Sequence, residues 1–266
     1  EQQMEEGRIP GFALGIIRGD EVLYLKGYGV ADEADRPVTA QTPFMIASVS
    51  KTFTALALMQ LKDEGKVDLD RPVSDYLTQL DPPNPQFEEM TIRQLLNHTA
   101  GFDPQVEYRV TFPEDSEISI TQLVGRFGTV PLAHAPGAKF EYNNAGYIVL
   151  GEVISQVSGL SYESYLQQNI FDPLEMRHSF TSMDRAKNDG PAVGYWTLFG
   201  FPRVSGLTYA PGYLPAFGIL SSAEDLTHYM IAMLNGGVYK DRRILSEESV
   251  AEMLTPSAAQ SPYSDY

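Results

Sequence analysis

The sequence predicts an α+β protein: an antiparallel sheet flanked by helices, with a helical lobe inserted into it. Three observations lead there. The chain opens on two β-type runs joined by a two-residue turn, and nearly everything after them reads as capped helices tied by loops. A lone hairpin is marginal in water and leaves two edges unpaired, so these strands should belong to a larger sheet. The 266 residues, 43% of them hydrophobic, suffice for one large domain or two smaller ones. The expected division is a sheet lobe at 1–64 and 206–266 and a helical lobe at 65–205.

The elements follow in order. Residues 12–17 and 22–28 are two β-type runs separated by Gly19-Asp20, a good two-residue hairpin signal. A polar connection covers 31–42. After Pro43 a helix is expected over about 49–63, where Val49, Phe53, Leu56 and Met59 keep helical spacing. Ala55, Ala57, Leu58 and Leu61 make the other faces nearly as apolar, as in a buried helix. Gly65, between Lys62 and Lys66, supplies its stop. Thr91 opens a short helix to Leu96. Ser119-Ile120-Thr121-Gln122 fits a capping box and starts another. Residues 144–157 form an amphipathic helix with Gly159 beyond its end, and Ser161 caps the next, to about Asn169. The stretch 184–217, rich in Gly, Pro and aromatics, has no steady period. Ser222-Ala223-Glu224-Asp225 caps a helix to Leu234, and Ser246 caps a last one over about 247–254. Almost nothing after the hairpin is strand-like, and there is no internal repeat.

Composition narrows the chemistry. The chain has no cysteine, which excludes disulfides, thiol nucleophiles and thiolate metal sites and leaves the compartment open. With 35 acidic against 19 basic residues the net charge is −16, a balance that repels phosphate backbones and argues against nucleic acid as a partner. His98, His134, His178 and His228 show no metal-ligand spacing, and no metal or other cofactor is expected. No apolar stretch approaches the roughly 20 residues that span a bilayer, so membrane contact is expected only through segments outside this chain. Residues 1–7 are polar and show no signal-peptide pattern.

Ser48-Val49-Ser50-Lys51 places a hydroxyl and an amine three residues apart at the start of the buried helix, on one helical face. A serine needs a base to become a nucleophile, and a lysine serves only when burial lowers its pKa. The helix N-terminus also aims N–H groups at a developing oxyanion. Alone, the spacing fits equally a capping serine with a solvated lysine. A second element, Pro136-Gly137-Ala138-Lys139-Phe140-Glu141-Tyr142-Asn143-Asn144, lies about 94 residues on. By itself it reads as a core tyrosine followed by an asparagine cap.

Together, Ser48-x-x-Lys51 and Tyr142-x-Asn144 resemble the first two motifs of class C β-lactamases, D-alanyl-D-alanine peptidases of similar build and related esterases. Leu95-Leu96-Asn97-His98-Thr99-Ala100-Gly101-Phe102 is similar to another segment of that family, with Ala100 and Phe102 as departures. Gly218-Ile219-Leu220-Ser221-Ser222-Ala223-Glu224-Asp225-Leu226 is similar to a third. The resemblance runs from about Gly7 to Pro256. It implies a β-lactamase/transpeptidase-like fold and a small-molecule or peptide acyl substrate. It also implies that Tyr142 relays a proton between Ser48 and the leaving group, that Asn144 orients Lys51 and binds the substrate amide, and that His98 is structural.

The family's third motif, Lys-Thr-Gly or His-x-Gly on a late strand, is absent after Pro256. The expectation is therefore that the chain is the N-terminal part of a longer protein and that a C-terminal fragment completes the sheet. The 184–217 loop would flank the site, with Tyr195, Trp196, Phe199, Phe201 and Tyr213 either lining a substrate pocket or covering the core. Its Gly-Pro-aromatic character resembles an exported branch of the family, which implies an extracytoplasmic site. The expected reaction is hydrolysis of an ester, β-lactam or D-Ala peptide through an acyl-enzyme on Ser48. The rival is a non-catalytic penicillin-binding sensor or scaffold of the same fold.

Overall fold

The structure is a computed structural model describing residues 2–80, 84–112, 115–199, 201–205 and 210–256. A short helix α1 (Gln2–Gly7) precedes the expected hairpin of β1 (Gly11–Arg18) and β2 (Glu21–Gly29). The strands pair antiparallel from Gly11 opposite Gly29 to Arg18 opposite Glu21, with a bulge between Ile16 and Ile17. Gly19 makes the turn at φ +60°, left-handed geometry that costs glycine nothing. β3 (Phe44–Met45) leads through a 3₁₀ turn, Ala47–Val49, into α2 (Ser50–Asp63). The middle of the chain is α3 (Ile92–Leu96), α4 (Val106–Val110), α5 (Ile120–Phe127), α6 (Ala145–Ser158) and α7 (Tyr162–Leu166). Then come α8 (Met183–Ala186), a hairpin of β4 (Gly194–Leu198) and β5 (Phe201–Ser205), α9 (Leu214–Phe217) and β6 (Leu220–Ser221). α10 (Ala223–Leu234), the short ladder of β7 (Val238–Tyr239) and β8 (Arg242–Arg243), and α11 (Glu247–Leu254) end the described chain.

The caps form as the residue types require. Thr91 and Ser119 close full capping boxes with Gln94 and Gln122. The side chains of Ser161, Ser222 and Ser246 accept N–H bonds from Ser164, Asp225 and Ser249. Two elements differ from expectation. α7 stops at Leu166 and passes into a π turn over Gln167–Phe171, so helical backbone continues beyond Asn169. The 184–217 stretch holds the β4–β5 hairpin. Tyr195, Trp196 and Thr197 are β-prone, but Pro202 in the return strand and a turn through Phe199 at φ +49° interrupt the alternation that identifies strands.

α2 and α6, buried on almost every face, are the centre of one contiguous core that runs from Phe53 to Val250. Gly151 sets how closely α6 meets α9, because a Cβ there would lie 2.3 Å from Pro215 Cγ. Pro215 is held from the other side by the Thr54 hydroxyl, which donates to its carbonyl at 2.7 Å. β3 pairs antiparallel with β6, and Ile46 N–H donates to Ile219 O at 3.0 Å, which fixes the approach to α2.

The larger sheet is not assembled from these residues. Among the described residues the strands form four separate two-stranded ladders. One face of the β1–β2 hairpin lies on α10, where a Cβ on Gly15 would meet Thr227. The other edge of β1 has no strand beside it among the described residues, and Leu14, Ile16, Val22, Leu23 and Tyr24 are exposed.

Candidate active site

Ser48 sits in the 3₁₀ turn ahead of α2, lifted to the surface by Ala47 in left-handed conformation at φ +46°. That geometry is uncommon for a residue with a side chain and concentrates where a site demands it. The turn is anchored beneath by Ser50, which is fully buried and whose hydroxyl accepts from Ile219 N–H at 3.1 Å. Ser48 thus stands on the N-terminal end of a helix whose first N–H groups lack intrahelical acceptors.

Lys51, one turn on, is buried, at 6% exposure. Its ammonium is bonded on three sides: to Ser48 Oγ at 3.2 Å, to Asn144 Oδ1 at 2.7 Å and to the Ala216 carbonyl of α9 at 2.9 Å. The rings of Tyr142 and Tyr147 lie 4.9 and 5.6 Å from Nζ. Burial pushes the Lys51 pKa below the ordinary lysine value, while its contacts with Tyr142 and the nearby Glu107 carboxylate pull it partly back.

Tyr142 donates its hydroxyl to Ser48 Oγ at 2.7 Å, so a phenol and an amine converge on one hydroxyl. Asn143 and Asn144 divide two tasks. Asn143 accepts from Gly146 N–H at 2.8 Å and so caps α6, which leaves Asn144 free to face Lys51. His98 packs beneath Tyr142, its ring 4.5 Å from the tyrosine ring and 5.1 Å from that of Tyr147. Its Nδ1 accepts from Asn143 N–H at 3.4 Å. Burial and the Lys51 charge push the His98 pKa down to about 4, which makes it a neutral support for the Tyr142 loop.

Ser48, Lys51, Tyr142 and Asn144 therefore meet, although 94 residues separate the first from Tyr142. Tyr213 lies beside them, stacked on Phe217 at 5.2 Å, one residue from the Ala216 carbonyl that receives Lys51. Its hydroxyl is hydrogen-bonded to that of Thr111. Tyr195 and Trp196 are on β4. Val193 N–H donates to Ala31 O, Arg36 reaches Pro191 O at 3.1 Å, and Tyr195 feels the charges of Asp32, Glu33 and Asp35. No hydrogen bond or ring contact joins Tyr195 or Trp196 to Ser48, Lys51 or Tyr142 among the described residues. Two participants escaped sequence reading. The Ala216 carbonyl is a backbone group and carries no residue-type signal. Glu107 stands in a one-turn helix without periodicity and accepts two hydrogen bonds from Asn144.

The chain matches the Beta-lactamase family over residues 1–265. The chain belongs to the β-lactamase family. Protein flp of Staphylococcus aureus is 33% identical to it over 245 residues, covering 88% of this chain and 47% of that relative. Among solved structures, an octameric penicillin-binding protein homologue from Pyrococcus abyssi superposes with a TM-score of 0.81 at 31% identity, over 96% of this chain and 58% of the other. EstCE1, described as a hydrolase with promiscuous acyltransferase activity, gives 0.78 at 25% identity, over 94% and 73%. This β-lactamase-family chain thus has the β-lactamase/transpeptidase-like α+β fold and spans about half the length of the curated relatives it matches. No helix among its described residues is long and apolar enough to cross a membrane, and no described cluster of His, Asp or Glu is arranged to hold a metal ion.

Proposed function

We propose that this chain carries the acylating half of a serine hydrolase site, with Ser48 as nucleophile and Lys51 with Tyr142 as the proton-handling pair. The convergence of Tyr142 OH and Lys51 Nζ on Ser48 Oγ carries the reading. As the Oγ–carbon bond forms, the Ser48 proton passes to Lys51 in its neutral amine form, directly or through the Tyr142 hydroxyl, and the helix N-terminus faces the carbonyl oxygen as it becomes charged. The tetrahedral intermediate collapses by breaking the bond to the leaving oxygen or nitrogen, which takes that proton. Water then gives a proton to the same pair as it attacks the acyl carbon; the bond from that carbon to Ser48 Oγ breaks, and Oγ takes the proton back. An ester is the favoured substrate over a β-lactam or D-Ala peptide; the likeness to EstCE1, a hydrolase with promiscuous acyltransferase activity, supports the hydrolase reading in general.

The same proposal includes an opposite wall supplied by sequence outside these residues, and an extracytoplasmic location. The unpaired edge of β1 supports the first. So does an apolar groove of about 470 Å³ between Ile17, Met230, Leu234 and Leu254, which reaches Lys51.

The test is labelling by a fluorophosphonate and a fluorescent penicillin in wild type and Ser48→Ala, followed by turnover of p-nitrophenyl esters, nitrocefin and a D-Ala-D-Ala peptide. Labelling lost in Ser48→Ala together with ester turnover supports the reading. Stable labelling without turnover would assign the site to a penicillin-binding sensor, and labelling that survives Ser48→Ala removes Ser48 from the chemistry.

A further inference from the structure

Glu107 has no part in the steps above, yet its carboxylate is committed wholly to the site. It lies on α4, a single turn pinned to the core by Val106 and Val110, both buried. Glu107 Oε1 accepts from the backbone N–H of Asn144 at 3.0 Å, and Oε2 accepts from Asn144 Nδ2 at 3.0 Å. The other end of the same amide, Oδ1, receives Lys51 Nζ at 2.7 Å.

This arrangement decides which way the Asn144 amide points. An amide offers an oxygen acceptor on one side and an NH₂ donor on the other, and an ionised carboxylate only accepts. The NH₂ must therefore face Glu107, and the oxygen is left for Lys51. Turning the amide over would set its oxygen against a carboxylate and its NH₂ against the Lys51 ammonium, losing both bonds. The backbone bond adds a constraint of its own. It satisfies an N–H at the start of α6, where a carboxylate is also favoured by the helix dipole.

We infer that Glu107 is a positioning residue for the nucleophile's base. It holds Asn144 in one orientation from α4, so that Lys51 keeps an oxygen acceptor and stays aimed at Ser48. The inference rests on the proposed role of Ser48 and Lys51 and adds a residue that neither motif contains. The groups facing Lys51 are the Ser48 hydroxyl and Ala216 carbonyl, the Tyr142 and Tyr147 rings, Asn144, and beyond it Glu107. His98 is near enough for the Lys51 charge to suppress its protonation. Glu107 is the carboxylate in this set. Its field favours the ammonium form of Lys51, in line with the direction in which it moves that lysine's pKa.

The experiment is a double-mutant cycle on the rate of fluorophosphonate labelling, measured against pH in wild type, Glu107→Gln, Asn144→Ala, the double variant, Glu107→Asp and Ser48→Ala. Glutamine keeps the size of Glu107 but can accept from only one of the two Asn144 donors. Glu107→Gln should slow labelling by about tenfold or more and move the acid limb of the rate to lower pH. Because Glu107 acts through Asn144, the double variant should be no slower than Asn144→Ala alone. Glu107→Asp, which keeps the charge on a shorter arm, should recover part of the rate. Independent, multiplying losses with an unmoved pH limb would overturn the inference while leaving the role of Ser48 intact. Unchanged labelling in Glu107→Gln would overturn it as well. Labelling that persists in Ser48→Ala would instead overturn the parent reading.

Discussion

Around Ser48, the polar groups that reach its hydroxyl or the lysine beside it are held by buried structure. Lys51 comes from α2, Tyr142 is held by the loop packed on His98, and Asn144 starts α6. By contrast, β1 presents an edge unpaired among the described residues, and α10 and α11 border an apolar groove that reaches Lys51. The contrast separates two properties of the site. The groups proposed to move protons are fixed by packing among the described residues: α2, α6, the β3–β6 ladder and the loop on His98. On the proposed reading, the groups that grip the substrate from across the site belong to the uncovered side, which would put reactivity and selectivity on different parts of the molecule.

Substitutions can break that contrast at several strengths. Lys51→Met should reduce Ser48 labelling by about a thousandfold, and Tyr142→Phe by about a hundredfold, with the fold intact by circular dichroism. On the packed side Gly151→Val should cost at least about 2 kcal/mol in urea unfolding, because a side chain there drives into Pro215. It should also slow labelling, since Pro215 adjoins the Ala216 carbonyl that holds Lys51. Leu56→Ala, in the same core, should cost about 2–5 kcal/mol. On the open side Leu14→Ser should stay within about 0.5 kcal/mol, and an equal cost on both sides would erase the contrast.

A pH dependence accompanies these effects. His98 titrates near 4 in the fold against 6.5 ordinarily. As pH falls from 6.5 toward 4 the unfolded chain takes up a proton that the native one refuses, so stability declines on the acid side. The contribution is on the order of 3 kcal/mol, an upper bound that partial exposure reduces. His98→Asn, a residue that tolerates the local φ of +58°, should flatten that part of the stability–pH curve relative to wild type. Parallel curves would remove His98 from the account.

Much of this was readable in the sequence because the signals were local. Caps at Thr91, Ser119, Ser161, Ser222 and Ser246 are set by one side chain and an N–H three residues on. The hairpin at Gly19 is set by its turn, and α2 by its all-round apolarity. Ser48 and Lys51 share a helix face by spacing, and the family resemblance supplied Tyr142 and Asn144. What was hidden depends on contacts between distant segments. The β3–β6 ladder is only two residues long, the β4–β5 hairpin contains a proline, and Glu107 reaches Asn144 from a helix too short to have a period. The Ala216 carbonyl has no residue type to announce it.

The most direct measurement is intact-mass spectrometry of the protein after brief exposure to a p-nitrophenyl ester and, separately, to a penicillin, with peptide mapping of any adduct. The account predicts one added acyl group, carried by Ser48 and absent in Ser48→Ala. An adduct on another residue, or none in a protein whose fold and Lys51–Ser48 geometry are intact, would contradict it.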